Sequence, residues 1–282
     1  MTSNFEDQAA NNQLLAVVRP SYSTNLIVCF NASDKKAYAR PDLPFGTSLS
    51  GRATFARQQA HIMWFAEGGA TWYLAHQDAI VRTIHEYITE HGIRRVKLFG
   101  GSAGGYAAIR MGLLVDQRLS ASGDNVMLLS YSINPQTGFR PDLIRRVRQA
   151  VQDHRWNFDD IGKNPVLLSA ADYLLYDHLK IDLLDLTADL KPRNFAAVVL
   201  SDLSNPIERA FCEDIASREY ILIQPHHFGL GHAQGSARIW KEGSFWPAFE
   251  SVYPFGTVDP VSGPQMLAFD PTLPIPSLFR RH

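Results

Sequence analysis

Three residues at a fixed spacing, Gly100, Ser102 and Gly104, form the pattern Gly-x-Ser-x-Gly. An apolar segment precedes the pattern, and a segment rich in alanine and leucine follows it. In a strand-to-helix turn this tight, side chains two residues before and after the serine would collide, so glycine is needed at both places. The serine hydroxyl would be exposed at a helix N-terminus, where backbone N–H groups favour negative charge. The pattern therefore predicts Ser102 as an acyl-transfer nucleophile. The alternative is a glycine-rich turn with a solvated serine.

A histidine late in the chain is the expected base for this serine. Where a nucleophile sits on such a turn, the catalytic residues follow the chain order serine, acid, histidine. Of the ten histidines, four follow the last predicted strand, Tyr220–Gln224, and the terminal His282 is set aside, which leaves His226, His227 and His232. His232 lies in a glycine-rich turn before a predicted helix, so we favour it and keep His227 and His226 as alternatives. No metal site is expected from the three, because no spaced carboxylate or thiolate lies nearby.

Two carboxylates compete for the role of the acid that orients this base. Asp202 follows the predicted strand Ala196–Leu200 directly, and Glu208 opens the next predicted helix. A triad acid is expected at the carboxyl end of that strand. The position favours Asp202, with Glu208 as the alternative.

Two backbone N–H groups are expected to bind the developing oxyanion. One is the N–H of Ala103, the residue after the nucleophile, and the other comes from the loop after an earlier strand. Asn31, or Ala32 beside it, is the candidate in that loop. An ordinary turn residue is an equally good interpretation of Asn31.

The elements that must position these residues alternate between strand and helix. Seven apolar segments are typical of strands buried on both faces of a sheet. They are Leu14–Val18, Asn25–Phe30, His61–Phe65, Arg95–Phe99, Asn125–Ser130, Ala196–Leu200 and Tyr220–Gln224. The predicted helices are Leu74–His91, Ala103–Val115, Ile207–Arg218 and Ala233–Val252. This alternation predicts an α/β fold with a mostly parallel central sheet flanked by helices.

One long segment, Asn134–Pro192, interrupts the alternation with polar, helical sequence. Connections this long in a compact domain are commonly an inserted cap. We therefore predict one domain over residues 1–282 with a helical cap over residues 134–192. The arginine-rich run Arg140–Arg155 inside it is interpreted as a solvated helix face, and the proline-rich Pro260–Pro276 as an extended strap.

Composition narrows the class of protein further. The chain has 282 residues, 45% hydrophobic and 20% charged, with a formal net charge of −1. No basic surplus favours nucleic acid as a partner. Two cysteines, an N-terminus without signal-peptide features and the lack of a long apolar run predict a cytoplasmic protein without a membrane span. No cofactor is expected, and homo-oligomerisation is left open.

The segment Phe99–Ala108 resembles the nucleophile turn of α/β-hydrolases found in bacterial surface-polysaccharide and accessory-secretion loci, which typically contain Gly-Ser-Ser-Met-Gly-Gly-Tyr. Thr71–Leu74 is similar to a Trp-Tyr signature of that group, and His232 with Gly243 to its late histidine and glycine. Gly101 and Ala103 replace the more usual serine and methionine.

The resemblance implies an esterase or deacetylase acting on an acylated sugar or glycoconjugate. The alternatives are an acyltransferase with the same triad and a non-catalytic partner protein in polysaccharide or secretion assembly. The cap would roof the site, with Trp72, Tyr73 and Trp156 as candidate aromatic lining, although such aromatics more often pack in a core.

Overall fold

The computed structural model describes residues 14–32, 55, 57–67, 72–153, 182–242, 245–252, 254–255 and 265–267. Within them the strands are β1 (Leu14–Arg19), β2 (Asn25–Phe30), β3 (His61–Glu67), β4 (Arg95–Gly101), β5 (Met127–Ile133), β6 (Phe195–Asp202), β7 (Ile221–His226) and β8 (Gln265–Leu267). They form one sheet in the order β7-β6-β5-β4-β2-β3-β1-β8.

The strands from β3 to β7 along this sheet are all parallel, whereas β1 pairs antiparallel with β3 and β8 pairs antiparallel with β1. The register places Val28 opposite Leu98 and Ile133 opposite Leu200. Every residue of β3 is buried, as in a sheet covered on both faces. The carboxyl ends of the parallel strands meet at one edge, so the residues that follow β2, β4, β5, β6 and β7 lie along that edge.

Helices cover both faces of the sheet. They are α1 (Gln77–Glu90), α2 (Ala103–Ser122), α3 (Pro141–Asp153), α4 (Leu183–Asp189), α5 (Pro206–Ile215), α6 (His232–Lys241) and α7 (Phe245–Ser251). A short 3-10 turn, Leu74–His76, precedes α1. One core contains Ile84 of α1 and Ile109 of α2, and a second contains Ile239 of α6 with Phe245 and Phe249 of α7. The predicted mostly parallel sheet flanked by helices is confirmed.

Most predicted elements differ from the structure by a few residues at their ends, and three differences change the interpretation. Strand β5 continues to Ile133 rather than ending at Ser130, because its last residues remain buried between β4 and β6. The predicted helix Ala233–Val252 is two helices, α6 and α7, and Gly243 and Ser244 lie between them in the sequence. The described part of the proline-rich tail is the edge strand β8, so this part extends the sheet.

The described part of the predicted cap contains helices α3 and α4, and residues 154–181 lie outside the described residues. Leu143 and Val147 of α3 pack against Ile207 and Phe211 of α5. The exposed Arg146 fits the predicted solvated face, although it also pairs with the buried Asp214. Arg140 does not fit the predicted solvated face, because its side chain is mostly buried. It pairs with Asp214 at 2.5 Å and with the buried Asp182 at 3.7 Å. These ion pairs fix the start of α3 beside α5.

Candidate active site

Ser102 lies between β4 and α2 with φ 54° and ψ −122°, a left-handed backbone conformation that non-glycine residues rarely adopt. Its N–H donates to Ile133 O at 2.9 Å, and its carbonyl accepts the N–H of Tyr106 at 3.0 Å. Strained backbone of this kind persists only where its surroundings fix it, and it is commonest at functional sites. Ser102 is partly exposed and lies at the carboxyl edge of the sheet, where a substrate could reach it.

The glycines on either side make this turn sterically feasible. A Cβ on Gly100 would lie 2.1 Å from the carbonyl oxygen of Gly104, and one on Gly104 would lie 2.4 Å from that of Phe30. Both contacts are with backbone, which cannot rotate away. By contrast, a Cβ on Gly101 would come no closer than 3.7 Å to Ile133 O. Space therefore requires glycine at positions 100 and 104 but not at position 101.

His232 and Glu208 form a close pair at the same edge. His232 is the first residue of α6, and its Nδ1 lies 2.5 Å from Glu208 Oε1. The side chain of Glu208 is 1% exposed, and that of His232 is 29% exposed. Burial by itself lowers the pKa of His232, but the Glu208 carboxylate outweighs it, so the pKa is raised above 6.5. With Nδ1 directed at the carboxylate, Nε2 is the ring nitrogen left to exchange a proton with a substrate or nucleophile.

Local sequence explains why Glu208 points inward. Asn205 caps α5 by accepting the N–H of Ile207 at 2.9 Å, and Pro206 occupies the first turn, where its missing N–H costs nothing. Glu208 follows in that first turn, where the helix dipole favours a carboxylate. The helix start therefore presents the buried charge of Glu208 to the loop that carries His232.

Asp202 has a different environment from the one expected of a triad acid. It is fully buried, and its Oδ1 accepts the N–H groups of Ser204 (3.2 Å), Phe228 (3.0 Å) and Gly229 (3.2 Å). Its Oδ2 accepts the N–H of Leu230 at 3.0 Å. Both oxygens are thus occupied by backbone, most of it in the loop between β7 and α6. The structure brings Glu208, rather than the favoured Asp202, to His232, while Asp202 shapes the loop that delivers His232.

The two alternative histidines have other partners. The His226 ring stacks on Phe228, with centroids 5.5 Å apart. His227 Nδ1 lies 3.4 Å from Ser204 Oγ at the exposed rim. Neither pairs with a carboxylate of the described residues as His232 does, so His232 has the environment expected of a base.

Asn134 directly follows β5, and its side chain forms hydrogen bonds with the end of β6 and with α6. It is fully buried and has a left-handed backbone with φ 44°. Its Oδ1 accepts Ser201 Oγ at 2.9 Å and the N–H of Asp202 at 3.1 Å, and its Nδ2 donates to Ser236 Oγ at 2.9 Å. Ser236 Oγ in turn donates to His232 O at 2.8 Å.

The hydrogen bonds of Asn134 lie next to the nucleophile, because Ile133, the residue before Asn134, accepts the N–H of Ser102. No hydrogen bond joins Ser102 Oγ directly to the His232 ring within the described part of the chain. Such contacts are often long before substrate binds and tighten with it. The structure thus places nucleophile and base on a shared framework, without a direct hydrogen bond between them.

The two predicted oxyanion donors have different outcomes. Ala103 is buried and is the first residue of α2, where a backbone N–H has no partner within the helix. The N–H of Asn31, however, donates to Phe65 O at 3.0 Å. The backbone N–H of Asn31 is therefore committed to β3, and the neighbouring Ala32 is the remaining backbone candidate in that loop.

The predicted aromatic lining is mostly core. Trp72 is 3% exposed and packs edge-on against Phe139, with centroids 5.4 Å apart. Tyr73 is 1% exposed and donates its hydroxyl to two backbone carbonyls. Trp156 lies outside the described residues. The sequence also does not indicate a role for Asn134, because the predicted β5 ends four residues before it, so that Asn134 falls in the predicted insertion.

The described residues include no cluster of three or more His, Cys, Asp or Glu side chains that could hold a metal ion. Among them, no helix is both long and apolar enough to cross a membrane.

Cys29 and Cys212 are both buried, and burial raises the pKa of each thiol. The groups arranged for chemistry at this edge are therefore a hydroxyl, an imidazole, a carboxylate and backbone N–H groups.

Comparison with known proteins gives the fold. No protein-family profile and no curated protein matches the sequence. Among solved structures, the chain is similar to a proline iminopeptidase-related protein from Thermus thermophilus, with a TM-score of 0.50, 17% identity, and coverage of 86% of this chain and 94% of that one. It is also similar to a hydrolase from Agrobacterium vitis S4 (TM-score 0.48, 16% identity, 85% and 93% covered). A third is carboxyl esterase 2 from Tuber melanosporum (TM-score 0.45, 14% identity, 85% and 83% covered). The likeness to the Thermus thermophilus protein, together with the strand order, shows that the chain has the α/β-hydrolase fold.

Proposed function

We propose that this chain is a serine hydrolase of acyl esters, with Ser102 as nucleophile, His232 as base and Glu208 as the acid that orients the base. The observation that carries the proposal is the left-handed backbone of Ser102, held between β4 and α2 by glycines that no other residue could replace. The His232–Glu208 pair supports it, since a base aligned by a buried carboxylate is what a serine nucleophile requires.

The reaction follows from these positions. Neutral His232 accepts the proton of the Ser102 hydroxyl at Nε2 while Ser102 Oγ forms a bond to the ester carbonyl carbon. The negative charge moves to the carbonyl oxygen, where the N–H groups of Ala103 and Ala32 would bind it. The tetrahedral species collapses as His232 gives its proton to the departing alcohol, which leaves an acyl-serine. A water molecule repeats the sequence and releases the acid.

The Glu208 carboxylate stabilises the imidazolium that forms on His232. Its burial strengthens this effect, because a charge interaction is stronger away from water. Asp202 acts before the reaction, by holding the loop from Phe228 to Leu230 in the shape that delivers His232. We extend the proposal to an esterase or deacetylase on an acylated sugar or glycoconjugate, which the resemblance of the Ser102 turn suggests.

An esterase assay tests the proposal. Wild-type protein is expected to hydrolyse p-nitrophenyl acetate, and Ser102→Ala is expected to reduce kcat/KM by at least about a thousandfold. Ser204→Ala, which removes a serine hydroxyl at the same edge, serves as the matched control and should retain activity. Equal activity in wild type and Ser102→Ala would contradict the proposal.

One observation favours a second candidate function. Because no hydrogen bond joins Ser102 Oγ to His232 in the described residues, the chain could instead use the fold as a non-catalytic partner protein in polysaccharide or secretion assembly. This alternative predicts a folded wild-type protein that neither hydrolyses esters nor reacts with a fluorophosphonate. Ester hydrolysis by wild-type protein that is lost in Ser102→Ala would contradict this alternative.

A further inference from the structure

We propose that Tyr73 is a positioning residue that holds the Asn31–Ala32 peptide so that the Ala32 N–H serves as the second oxyanion donor. The inference rests on the proposed function. It assigns to a buried tyrosine, outside the triad, control over how strongly the site stabilises the transition state.

The Tyr73 hydroxyl joins the ends of two neighbouring strands. Its single O–H is shared between two acceptors, Asn31 O at 2.8 Å, just after β2, and Phe65 O at 3.1 Å, in β3, and the contact with Asn31 is the shorter. The carbonyl of Asn31 and the N–H of Ala32 belong to one peptide group, which is planar and almost always trans. A hydrogen bond that fixes the carbonyl therefore fixes the direction of the Ala32 N–H on the opposite side.

The same peptide lies against the nucleophile turn. A Cβ on Gly104 would be 2.8 Å from Asn31 O and 3.0 Å from Asn31 C. Gly104 directly follows Ala103, whose N–H is the first oxyanion donor. The Asn31–Ala32 peptide therefore packs against the residue that follows Ala103, at a position where only glycine fits.

The peptide before Asn31 is fixed as well. Its N–H, that of Asn31, donates to Phe65 O at 3.0 Å, the same oxygen that accepts from Tyr73. The Asn31–Ala32 peptide is therefore held at its carbonyl by Tyr73 and at its preceding N–H by β3. A hydroxyl donating to a carbonyl also polarises the peptide group, which makes its N–H a stronger donor.

The chain adopts unusual backbone to place Tyr73 here. Trp72 and Tyr73 both have left-handed conformations, with φ 51° and 65°. The Tyr73 ring is buried and meets Phe30 edge-on, with centroids 5.3 Å apart. Two consecutive non-glycine residues in this region cost conformational energy, and such strain is typical of residues whose exact placement matters to a site.

The test is Tyr73→Phe, which removes one oxygen and keeps the ring. Oxyanion donors act in the transition state, so the variant should lose kcat while KM changes little. Removing a donor outright costs about 10²–10³-fold in kcat. If the donor is misdirected rather than removed, kcat should fall by about tenfold. The rate of fluorophosphonate labelling should fall to a similar extent. The KM for p-nitrophenyl acetate should stay within about twofold.

Tyr220→Phe is the matched control, because the Tyr220 hydroxyl also donates to a backbone carbonyl, that of Thr187, at 3.0 Å. It lies at the amino end of β7, away from the candidate site, so its kcat should equal that of wild type. Thermal unfolding of both variants measures the structural effect separately. A Tyr73→Phe kcat within about twofold of wild type, or an equal loss in both variants, would overturn the inference.

If Tyr73→Phe does not fold, 3-fluorotyrosine at position 73 replaces it, since fluorine makes the phenol a stronger donor at nearly unchanged size. A raised kcat then supports the inference, and an unchanged or lowered kcat overturns it. Failure of the proposed function has a different signature. In that case wild-type protein itself neither hydrolyses the ester nor labels, whereas failure of this inference alone leaves an active wild type and an equally active variant.

Discussion

Glu208 Oε1 lies 2.5 Å from His232 Nδ1, and this contact joins the first turn of α5 to the first residue of α6. The carboxylate is buried and the imidazole is partly exposed. A buried carboxylate behind a partly exposed histidine is the arrangement that a serine nucleophile needs. Asp202, the more obvious acid by position, instead accepts four backbone N–H groups.

Activity should depend on pH through His232. Only the neutral imidazole can accept the Ser102 proton, and Glu208 raises the pKa of His232 above 6.5. We therefore expect kcat/KM to rise with pH through a midpoint above 6.5. Glu208→Gln should lower kcat/KM by about 10³-fold and shift the midpoint downward, because the raising charge is gone while burial remains. A pH–rate profile of both proteins measures this. A midpoint that does not move in the variant would rule out Glu208 as the acid.

Asp202→Asn should act through structure rather than through the base. The amide offers one acceptor oxygen in place of two, so at least one of the four N–H groups loses its partner in a fully buried place. We expect a loss of about 3 kcal/mol in the free energy of unfolding. Activity should fall while the midpoint of the pH–rate profile stays that of wild type. Denaturant unfolding and the same pH profile check both parts, and a midpoint shifted as in Glu208→Gln would instead make Asp202 the acid.

The nucleophile turn offers a matched pair of substitutions. In Gly100→Ala the new Cβ would meet the Gly104 carbonyl oxygen at 2.1 Å, whereas in Gly101→Ala it has 3.7 Å to Ile133 O. We expect the first variant to lose activity and at least about 3 kcal/mol of stability, because backbone must move to relieve the clash. The second should fold with near wild-type stability. Thermal unfolding and ester hydrolysis compare them directly, and equal behaviour of the pair would contradict the geometry of this turn.

His61 should make the fold sensitive to acid. Its ring bonds Tyr87 Oη at 2.6 Å and Ser23 O at 2.9 Å, and burial together with the nearby His91 lowers its pKa from 6.5 to about 4. The unfolded chain takes up a proton near pH 6.5, but folded His61 does so only near pH 4. Stability should therefore fall by about 3 kcal/mol as the pH drops across this interval.

His61→Gln should be less stable at neutral pH but should lack this part of the pH dependence. His227→Gln, which alters an exposed ring, should keep it. Denaturant unfolding at a series of pH values from about 7 to about 4 measures the difference. An unchanged slope in His61→Gln would show that another group causes the acid sensitivity.

The sequence predicts those parts of the site whose geometry depends on a few consecutive residues. The Ser102 turn needs glycine at positions 100 and 104 within five consecutive residues, so sequence alone locates it. Strands β2 and β3 are also recognisable from the sequence, since a strand buried on both faces must be apolar along its length. The predicted strand Leu14–Val18 is equally apolar but pairs antiparallel with its neighbours, which its own sequence does not indicate.

The acid cannot be chosen this way, because the choice depends on contacts between distant segments. Glu208 and Asp202 both lie at or just after the end of β6, and what separates them is the loop after β7, whose N–H groups occupy Asp202. The Asn31 N–H is likewise occupied by Phe65, a partner in another strand. Asn134 falls within the predicted insertion because the polar end of β5, which is buried between its neighbours, resembles loop sequence.

Site-resolved labelling with a fluorophosphonate tests the central claim most directly. The reagent forms a bond only with an activated serine, and mass spectrometry of a digest identifies the modified residue. The account predicts one adduct, on Ser102, which is absent in Ser102→Ala, strongly slowed in Glu208→Gln and His232→Ala, and retained in Ser204→Ala. A folded wild-type protein that forms no adduct, or labelling that persists at full rate in Ser102→Ala, would contradict it.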